Sequence, residues 1–202
     1  MLLFKSCLMP SHQSTYSLLP PGLDLTCQIL ISIGKLIAVW ANCETCFYAI
    51  YFCLGGRSNG NADVTWASVL STRRRLTMLH HLVRYEDGVD DQTKNEILKC
   101  LQLFDALTAV RNYYCHARYR TAEDGETILS IDQWSLAPLG TTSDPIFKER
   151  SKPASKQTVN EICSTADRIV ELSDRVAKLA HSVKEQLKLD IPSWPPLPPI
   201  QP

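Results

Sequence analysis

The chain contains little glycine and no excess of charge of either sign. Eight glycines among 202 residues supply few of the tight turns that a sandwich of short strands needs, which favours helices. Lysine and arginine together number 21, as do aspartate and glutamate, so the formal net charge is zero. This balance excludes a protein coated with positive charge for nucleic-acid binding. A local basic patch remains compatible with it, because net charge does not describe distribution.

The N-terminus lacks the pattern of a secretion signal. Its apolar stretch is short, and Pro10 and His12 interrupt it at once. We expect a disordered leader over residues 1–22 and a disordered proline-rich tail over residues 191–202. A hydrophobic content of 45% and a charged content of 21% are typical of a soluble globular protein. We therefore predict one domain at residues 23–190.

Cysteine is abundant, but its positions argue against a disulfide framework. Most of the eight cysteines lie inside apolar helical patterns, where a free thiol behaves as a small buried hydrophobe. We therefore predict a reducing, cytoplasmic location. Cys43 and Cys46 have the spacing of half a zinc site, but no second pair of ligands follows at zinc spacing. We predict neither a metal nor another cofactor.

The apolar periodicity predicts an all-α fold, a bundle of four or five helices with a small β-hairpin insertion. Steps of three and four residues place an apolar stripe on a helix at residues 23–54, which Gly55 and Gly56 end. The same segment raises a membrane-anchored alternative, but Lys35 and Glu44 interrupt it. We expect no stable membrane association.

Further helices follow, with the insertion between the last two. The helical patterns cover residues 62–85, 92–120 and 156–189, the second of them as either one helix or two. Asp90 or Asp91 is suited to cap the second pattern. Thr158 and Glu161 have the spacing of a capping box for the third. The insertion at about residues 121–154 begins with a turn signal and contains two short strands, at 127–131 and 145–148.

One segment of the helical pattern at 92–120 carries groups suited to phosphodiester chemistry. It reads Arg-Asn-x-x-x-His from Arg111 to His116, and the four-residue step from Asn112 to His116 places both on one helix face. A guanidinium holds a phosphate and stabilises negative charge in the transition state. An imidazole takes or gives the proton of a ribose 2′-hydroxyl or of the leaving oxygen, and no metal is required.

The segment from Arg111 to His116 resembles the signature of HEPN domains, an Arg-polar-x-x-x-His motif on a helix of a short bundle. The resemblance implies an all-α domain that dimerises and places two copies of the motif around one cleft. Many HEPN proteins are metal-independent endoribonucleases of toxin–antitoxin, abortive-infection and other defence systems. Carried over to this chain, Arg111 and His116 are the catalytic pair and Asn112 is their polar companion. RNA, a second copy of the chain and an antitoxin or sensor protein are the implied partners.

The chain departs from the pattern of antitoxin-regulated HEPN toxins at one position. Those proteins often carry a tyrosine two residues after the histidine, where this chain has Arg118, and Tyr119 comes one residue later. Regulation by modification of a tyrosine is therefore not carried over. The insertion at 121–154 is not part of the minimal bundle either.

Residues outside the motif are candidates for the same site. Glu44 lies among apolar residues and needs a partner, for which Arg111, another basic residue or solvent are the alternatives. Basic and aromatic side chains near the motif are candidates to contact RNA phosphates and to stack on bases. These predicted RNA contacts are Arg73, Arg74, Arg75, Arg118, Tyr113 and Tyr119. The alternative is a solvated helix face for the arginines and a core or dimer interface for the tyrosines.

Two classes of function follow from these residues. The first is a metal-independent endoribonuclease of HEPN type. The second is a non-catalytic helical module that uses the same Arg/His cleft to bind RNA, a nucleotide or a protein, or to dimerise. Turnover of RNA distinguishes them.

Overall fold

The computed structural model of the chain describes residues 19–55, 61–136 and 147–190. Within these ranges the chain forms five helices and one three-stranded antiparallel sheet, which confirms a mainly helical fold with a small β insertion. In chain order the elements are α1 (Leu25–Gly55), α2 (Asn61–Ser68), α3 (Thr72–Tyr85), α4 (Asp91–Cys115), β1 (Arg118–Thr121), β2 (Ile128–Leu136), β3 (Phe147–Pro153) and α5 (Lys156–Gln186). The predicted tail and all but the last four residues of the predicted leader lie outside the described ranges.

Packing divides the chain into two compact units. The first unit contains the described residues up to Cys43 together with Leu103–Ser173, and it includes the whole sheet. The second unit contains Glu44–Gln102 and the described residues from Asp174 onward, and it includes α2 and α3. The three long helices α1, α4 and α5 each contribute one segment to each unit.

The core of the first unit is built from apolar faces of the long helices and from Ile128 and Ile131 of the sheet. Trp40 of α1 stacks on Phe104 of α4, with ring centroids 4.0 Å apart and planes inclined by 20°. Fully buried side chains of this kind each contribute about 1.5–3 kcal/mol relative to exposure. The other largest fully buried side chains of this unit are Ile29, Leu36, Tyr114, Ile131, Ile162, Ile169 and Leu172.

The second unit has its own core and a well-defined start of α4. Phe47, Ile50, Leu79 and Ile97 are completely buried there. Asp90 caps α4, because its carboxylate accepts from the backbone N–H and the hydroxyl of Thr93, each at 2.8 Å. Of the two predicted capping residues, Asp90 and Asp91, Asp90 is therefore the cap.

The predicted helix at 62–85 is wrong in one respect, because the structure divides it into α2 and α3. Ser71 has an extended backbone, with φ −99° and ψ 123°, so residues 69–71 interrupt the helix. The break is held by Arg75, whose Nε donates to the carbonyl of Val69 at 2.7 Å. No glycine or proline marks the break in the sequence, and it is a side chain from the next helix that satisfies the freed carbonyl.

The predicted helix at 92–120 is also too long. α4 ends at Cys115, and Arg118–Thr121 forms β1, an edge strand of the sheet. β1 pairs antiparallel with β2, and β2 with β3, which places Arg118 opposite Asp132. Hydrogen bonds to β2 therefore replace the last helical turn. The sheet has three strands instead of the two predicted.

The turn between β1 and β2 confirms the turn signal in the sequence. Asp124 Oδ1 accepts from the backbone N–H groups of Glu126 and Thr127, both at 2.9 Å. Gly125 has φ 70°, a left-handed conformation that suits glycine. The predicted strand at 145–148 corresponds to β3, which begins at Phe147, and residues 145 and 146 lie outside the described ranges.

The predicted capping box of α5 is wrong. Ser155 is the cap, since its hydroxyl accepts from the backbone N–H of Thr158 at 3.2 Å. The hydroxyl of Thr158 donates to the carbonyl of Pro153 at 2.8 Å instead of capping the helix. The carboxylate of Glu161 lies 2.6 Å from Nζ of Lys152 on β3. Glu161 therefore forms an ion pair with the sheet, and its carboxylate does not serve a capping box.

α1 meets the length and composition criteria of a membrane-crossing helix. Its most apolar window has a mean hydropathy of 1.4, and 22% of that window is buried. One face is covered, with Ile29 and Leu36 at 0% exposure, whereas Leu30 and Ile37 on another face are 52% and 45% exposed. A core helix of a soluble protein passes the same test.

Candidate functional site

Arg111 lies in the last turn of α4, partly buried in the first unit. Its Nη1 donates to Oδ1 of Asn112 at 2.9 Å, and its Cζ lies 5.7 Å from the ring centroid of Trp40. Its Nε is buried and has no acceptor among the described residues, and the same is true of the indole N–H of Trp40. The guanidinium is thus held on an aromatic face, and Asn112 fixes one of its donors.

His116 is the first residue after α4. Its backbone N–H donates to the carbonyl of Asn112 at 3.1 Å, so the last helical hydrogen bond keeps His116 one turn from Asn112. The side chain is exposed. The predicted position inside a helix is therefore wrong by one residue. The predicted common face of the Asn112 and His116 side chains stays a prediction.

Tyrosines fasten the end of α4 to the sheet. Tyr113 is only 7% exposed, and its hydroxyl donates to the carbonyls of Ile131, at 2.8 Å, and Arg150, at 3.2 Å. No ring face is left for a base, so the predicted stacking role of Tyr113 is wrong and the core alternative holds.

Tyr119 on β1 is partly buried, and its hydroxyl donates to the carbonyl of Tyr114. Burial raises the pKa of Tyr119 to about 12, so the phenol is neutral near pH 7. Its predicted role as a base-stacking residue stays a prediction.

The sequence did not indicate a cluster around Lys152, a half-buried residue of β3. Lys152 Nζ lies 2.6 and 2.7 Å from the two carboxylate oxygens of Glu161 and 3.3 Å from the hydroxyl of Tyr114. It also lies 4.7 Å from the ring centroid of Tyr113. Burial raises the pKa of Tyr114 far above its usual range. This cluster contains residues of β3, α4 and α5. No local sequence pattern indicates it, because its members are distant in the chain.

Asp132 is a second residue that the sequence analysis missed. It lies on the central strand β2 and is 1% exposed. Its Oδ1 accepts from the hydroxyls of Ser151, at 2.6 Å, and Ser130, at 3.0 Å, and its Oδ2 lies 3.2 Å from Nη2 of Arg120. The hydrogen bond from Ser151 is the main cause of a lowered pKa at Asp132, and burial opposes it.

Glu44 and the arginines at 73–75 belong to the second unit, whereas Arg111 belongs to the first. Glu44 accepts from the hydroxyl of Thr72 at 2.6 Å and lies 3.8 Å from Nη1 of Arg75. Another basic residue is therefore the partner that the structure gives Glu44, in place of the predicted Arg111.

The three adjacent arginines differ in their surroundings. Arg73 and Arg74 are exposed, as a solvated helix face or an RNA contact requires. Arg75 is partly buried, and its Cζ lies 5.5 Å from the ring centroid of Trp66. Arg75 also forms an ion pair with Glu44 and a hydrogen bond with the carbonyl of Val69. These contacts hold α3 in place.

Cys115 and Cys46 are poorly suited to nucleophilic chemistry. Burial raises the pKa of Cys115 and raises that of Cys46 to about 11, so both are protonated thiols at neutral pH. No disulfide joins any of the seven cysteines within the described ranges. In the same ranges, no group of three or more His, Cys, Asp or Glu side chains is arranged to hold a metal ion.

Comparison with protein-family models, curated proteins and solved structures finds no match to this chain. The resemblance to HEPN domains therefore depends on the residues from Arg111 to His116 and on the helical context of that motif. The first unit brings this motif together with the sheet and its basic strand β1.

Proposed function

We propose that the protein is a metal-independent endoribonuclease of HEPN type, with Arg111, Asn112 and His116 at its active site. One observation carries the proposal. The backbone bond from His116 to Asn112 keeps an exposed imidazole one helical turn from the residue that holds the guanidinium of Arg111. A fixed cation and an accessible acid–base group are the two components that metal-free cleavage of RNA requires.

The proposed reaction uses the 2′-hydroxyl of the substrate as nucleophile. Neutral His116 takes the proton of this hydroxyl, whose oxygen forms a bond to the adjacent phosphorus while the bond to the 5′-oxygen breaks. Arg111 stabilises the negative charge on the phosphoryl oxygens, and Asn112 orients Arg111. The departing 5′-oxygen takes a proton from solvent or from the imidazolium. The products carry a 2′,3′-cyclic phosphate and a 5′-hydroxyl.

The proposed assembly follows from the same resemblance. Two copies of the chain form a homodimer in the cytoplasm, with their motifs around one cleft that binds RNA. An antitoxin or sensor protein controls the activity. Neither association with a membrane nor a cofactor is part of the proposal.

A second candidate is a non-catalytic module that binds RNA, a nucleotide or a protein through the same residues. The position of Arg111 favours it, because a guanidinium packed on Trp40 and bonded to Asn112 also has a purely structural explanation. Under this candidate, RNA binds to the purified protein and is released unchanged.

Incubation of purified protein with total RNA in the presence of EDTA tests the proposal. We expect fragments that carry 2′,3′-cyclic phosphate and 5′-hydroxyl ends, and no cleavage of DNA of the same sequences, because DNA lacks the nucleophile. Dependence on a divalent cation, cleavage of DNA, or intact RNA after prolonged incubation would contradict the proposed chemistry.

A further inference from the structure

One side of the sheet carries a group of polar and basic side chains that the motif does not include. Side chains alternate across a strand, so Arg118 and Arg120 of β1 lie on the same side. The pairing of β1 with β2 and β2 with β3 adds residues of the other strands to this side. We define the polar face of the sheet as Arg118, Arg120, Ser130, Asp132 and Ser151. The opposite side carries Tyr119, Ile131 and Lys152, which are partly or fully buried.

We propose that the polar face binds the sugar–phosphate backbone of single-stranded RNA, with phosphates on Arg118 and Arg120 and with Asp132 as the positioning residue for Arg120. The proposal rests on the proposed function for the identity of the ligand. It adds the route by which RNA reaches His116 and a residue that shapes this route.

Position along the chain supports the route. Arg118 follows the exposed His116 by two residues, and Arg120 follows Arg118 by two. Residues two apart on a strand are about 6.6 Å apart, so Arg118 and Arg120 form a row along β1, and Arg118 is the nearer of the two to His116 along the chain. We call this row the track. A track of two cations on a strand of four residues fits one nucleic-acid strand, which proteins hold by its backbone in such basic grooves.

The exposure of the two arginines supports contact with a ligand. Both are exposed, and the side chain of Arg120 is 59% accessible although its guanidinium lies 3.2 Å from a buried carboxylate. Arg120 thus reaches solvent and Asp132 at the same time. The ion pair holds the guanidinium near Asp132 by charge, since Oδ2 of Asp132 accepts no hydrogen bond from the described residues.

Acidic residues follow the track at the end that is farther from His116 along the chain. Glu123, Asp124 and Glu126 lie in the turn that follows β1, and all three are exposed. Their charge repels a phosphate chain. The favourable path therefore runs from Arg120 toward His116 and not past the turn.

Asp132 has the geometry of a positioning residue. A buried carboxylate needs donors and a compensating charge, and Ser130, Ser151 and Arg120 provide them. Because Asp132 is 1% exposed, it does not meet the RNA itself. It acts through the orientation of Arg120.

Fluorescence anisotropy with a labelled 2′-O-methyl RNA of about 12 nucleotides tests the track. This probe lacks the nucleophilic hydroxyl, so binding is measured without cleavage. We expect the double variant Arg118→Gln/Arg120→Gln to bind at least about tenfold more weakly than the wild type. Its slope of log affinity against log salt should be smaller by about 1.4, from two lost phosphate contacts at about 0.7 each.

The matched control is Arg168→Gln, an exposed arginine of α5 in the same unit. It should bind the probe as the wild type does. Wild-type affinity and salt slope in the double variant would overturn the proposal, as would an equal loss in the control or a wild type that binds no probe.

The sign of the effect of Asp132→Asn tests positioning. If Asp132 acted only by its charge, its removal would strengthen the binding of an anionic ligand. We expect weaker binding, and no further effect of Asp132→Asn in the Arg120→Gln background, because the two residues act as one unit. Arg120→Lys, which keeps the charge and loses the planar fork, should also bind more weakly.

Tighter binding of the probe by Asp132→Asn would overturn the positioning role. Additive losses of affinity in the variant Arg120→Gln/Asp132→Asn would overturn it as well. If Asp132→Asn does not fold, Ser151→Ala replaces it, because this change keeps the carboxylate and removes one donor to it. Weaker binding by Ser151→Ala supports the role, and unchanged or tighter binding overturns it.

The binding experiment and the cleavage experiment can contradict the two proposals independently of each other. A wild type that binds the probe through Arg118 and Arg120 but leaves RNA intact contradicts the endoribonuclease and keeps the track. A wild type that cleaves RNA while the double variant binds and cleaves normally contradicts the track and keeps the endoribonuclease.

Discussion

At the end of α4, the hydroxyl of Tyr119 donates to the carbonyl of Tyr114, where a helix would otherwise leave that oxygen without a partner. Tyr114 is completely buried, so water is a poor substitute for this donor. The bond holds the chain between Cys115 and β1, which is the segment that contains His116. One hydroxyl therefore affects both stability and the placement of the candidate general base.

We expect Tyr119→Phe to lower the free energy of unfolding by about 1 kcal/mol, the usual value of one hydrogen bond whose acceptor loses its donor. Urea denaturation followed by circular dichroism measures it. Tyr85→Phe is the control, since Tyr85 is 82% exposed and its change should have little effect. An equal loss in both variants would show that the bond to Tyr114 is not responsible.

Single residues of the site were predictable to different degrees. Arg111, Asn112 and His116 stand close together in the sequence and carry recognisable chemistry, so a motif selects them as candidates, and their role stays a prediction. Asp132 was missed because the predicted strand ended at residue 131, and its role depends on Ser151 and Arg120, which lie 19 and 12 positions away along the chain. Pairing across a sheet is decided by the whole fold and leaves no local signature.

The elements show why helices were easier to predict than their ends. The long apolar stripes of α1 and α5 specify helices through their period, and both were placed to within three residues. Between Cys115 and Arg120 the sequence has neither glycine nor proline, so nothing local indicates that the helix stops. Pairing with β2 ends α4 there, and a single sequence does not reveal such tertiary effects.

The break between α2 and α3 gives a prediction at the scale of an element. Arg75 bonds the carbonyl of Val69, contacts Glu44 and lies over Trp66, so it joins the break to α1 and α2. We expect Arg75→Gln to lower the free energy of unfolding by about 1–2 kcal/mol through lost hydrogen bonds to a charged donor. The same urea titration measures this change.

Arg74→Gln is the matched control for Arg75, because it removes an exposed arginine from the adjacent position of the same helix. Its effect should be within about 0.5 kcal/mol of zero, as for most surface substitutions. Equal effects at the two positions would contradict the structural role of Arg75.

At the scale of the whole molecule, several carboxylates tie stability to pH. Hydrogen bonds from Thr93 lower the pKa of Asp90, those from Thr127 lower that of Asp124, and that from Ser151 lowers that of Asp132. A carboxylate with a lowered pKa contributes stability that is complete above its unfolded value of about 3.9 and is lost as pH falls through the folded value.

We therefore expect the free energy of unfolding to fall as the pH drops below about 4. Urea titrations at a series of pH values from neutral to acid measure this dependence. Asp132→Asn should show a shallower decline in the acid range than the wild type, because it lacks one of the titrating groups. A parallel decline in both proteins would show that Asp132 has the same pKa folded and unfolded.

The central claim is that His116 performs acid–base chemistry on RNA, and one rate comparison tests it most directly. Cleavage of an end-labelled RNA in EDTA is measured for the wild type, His116→Ala and His181→Ala, the last an exposed histidine of α5. We predict equal rates for the wild type and His181→Ala, and a rate at least about 100-fold lower for His116→Ala, the usual contribution of a general base. Cleavage by His116→Ala at the wild-type rate, with all three proteins folded, would contradict the account.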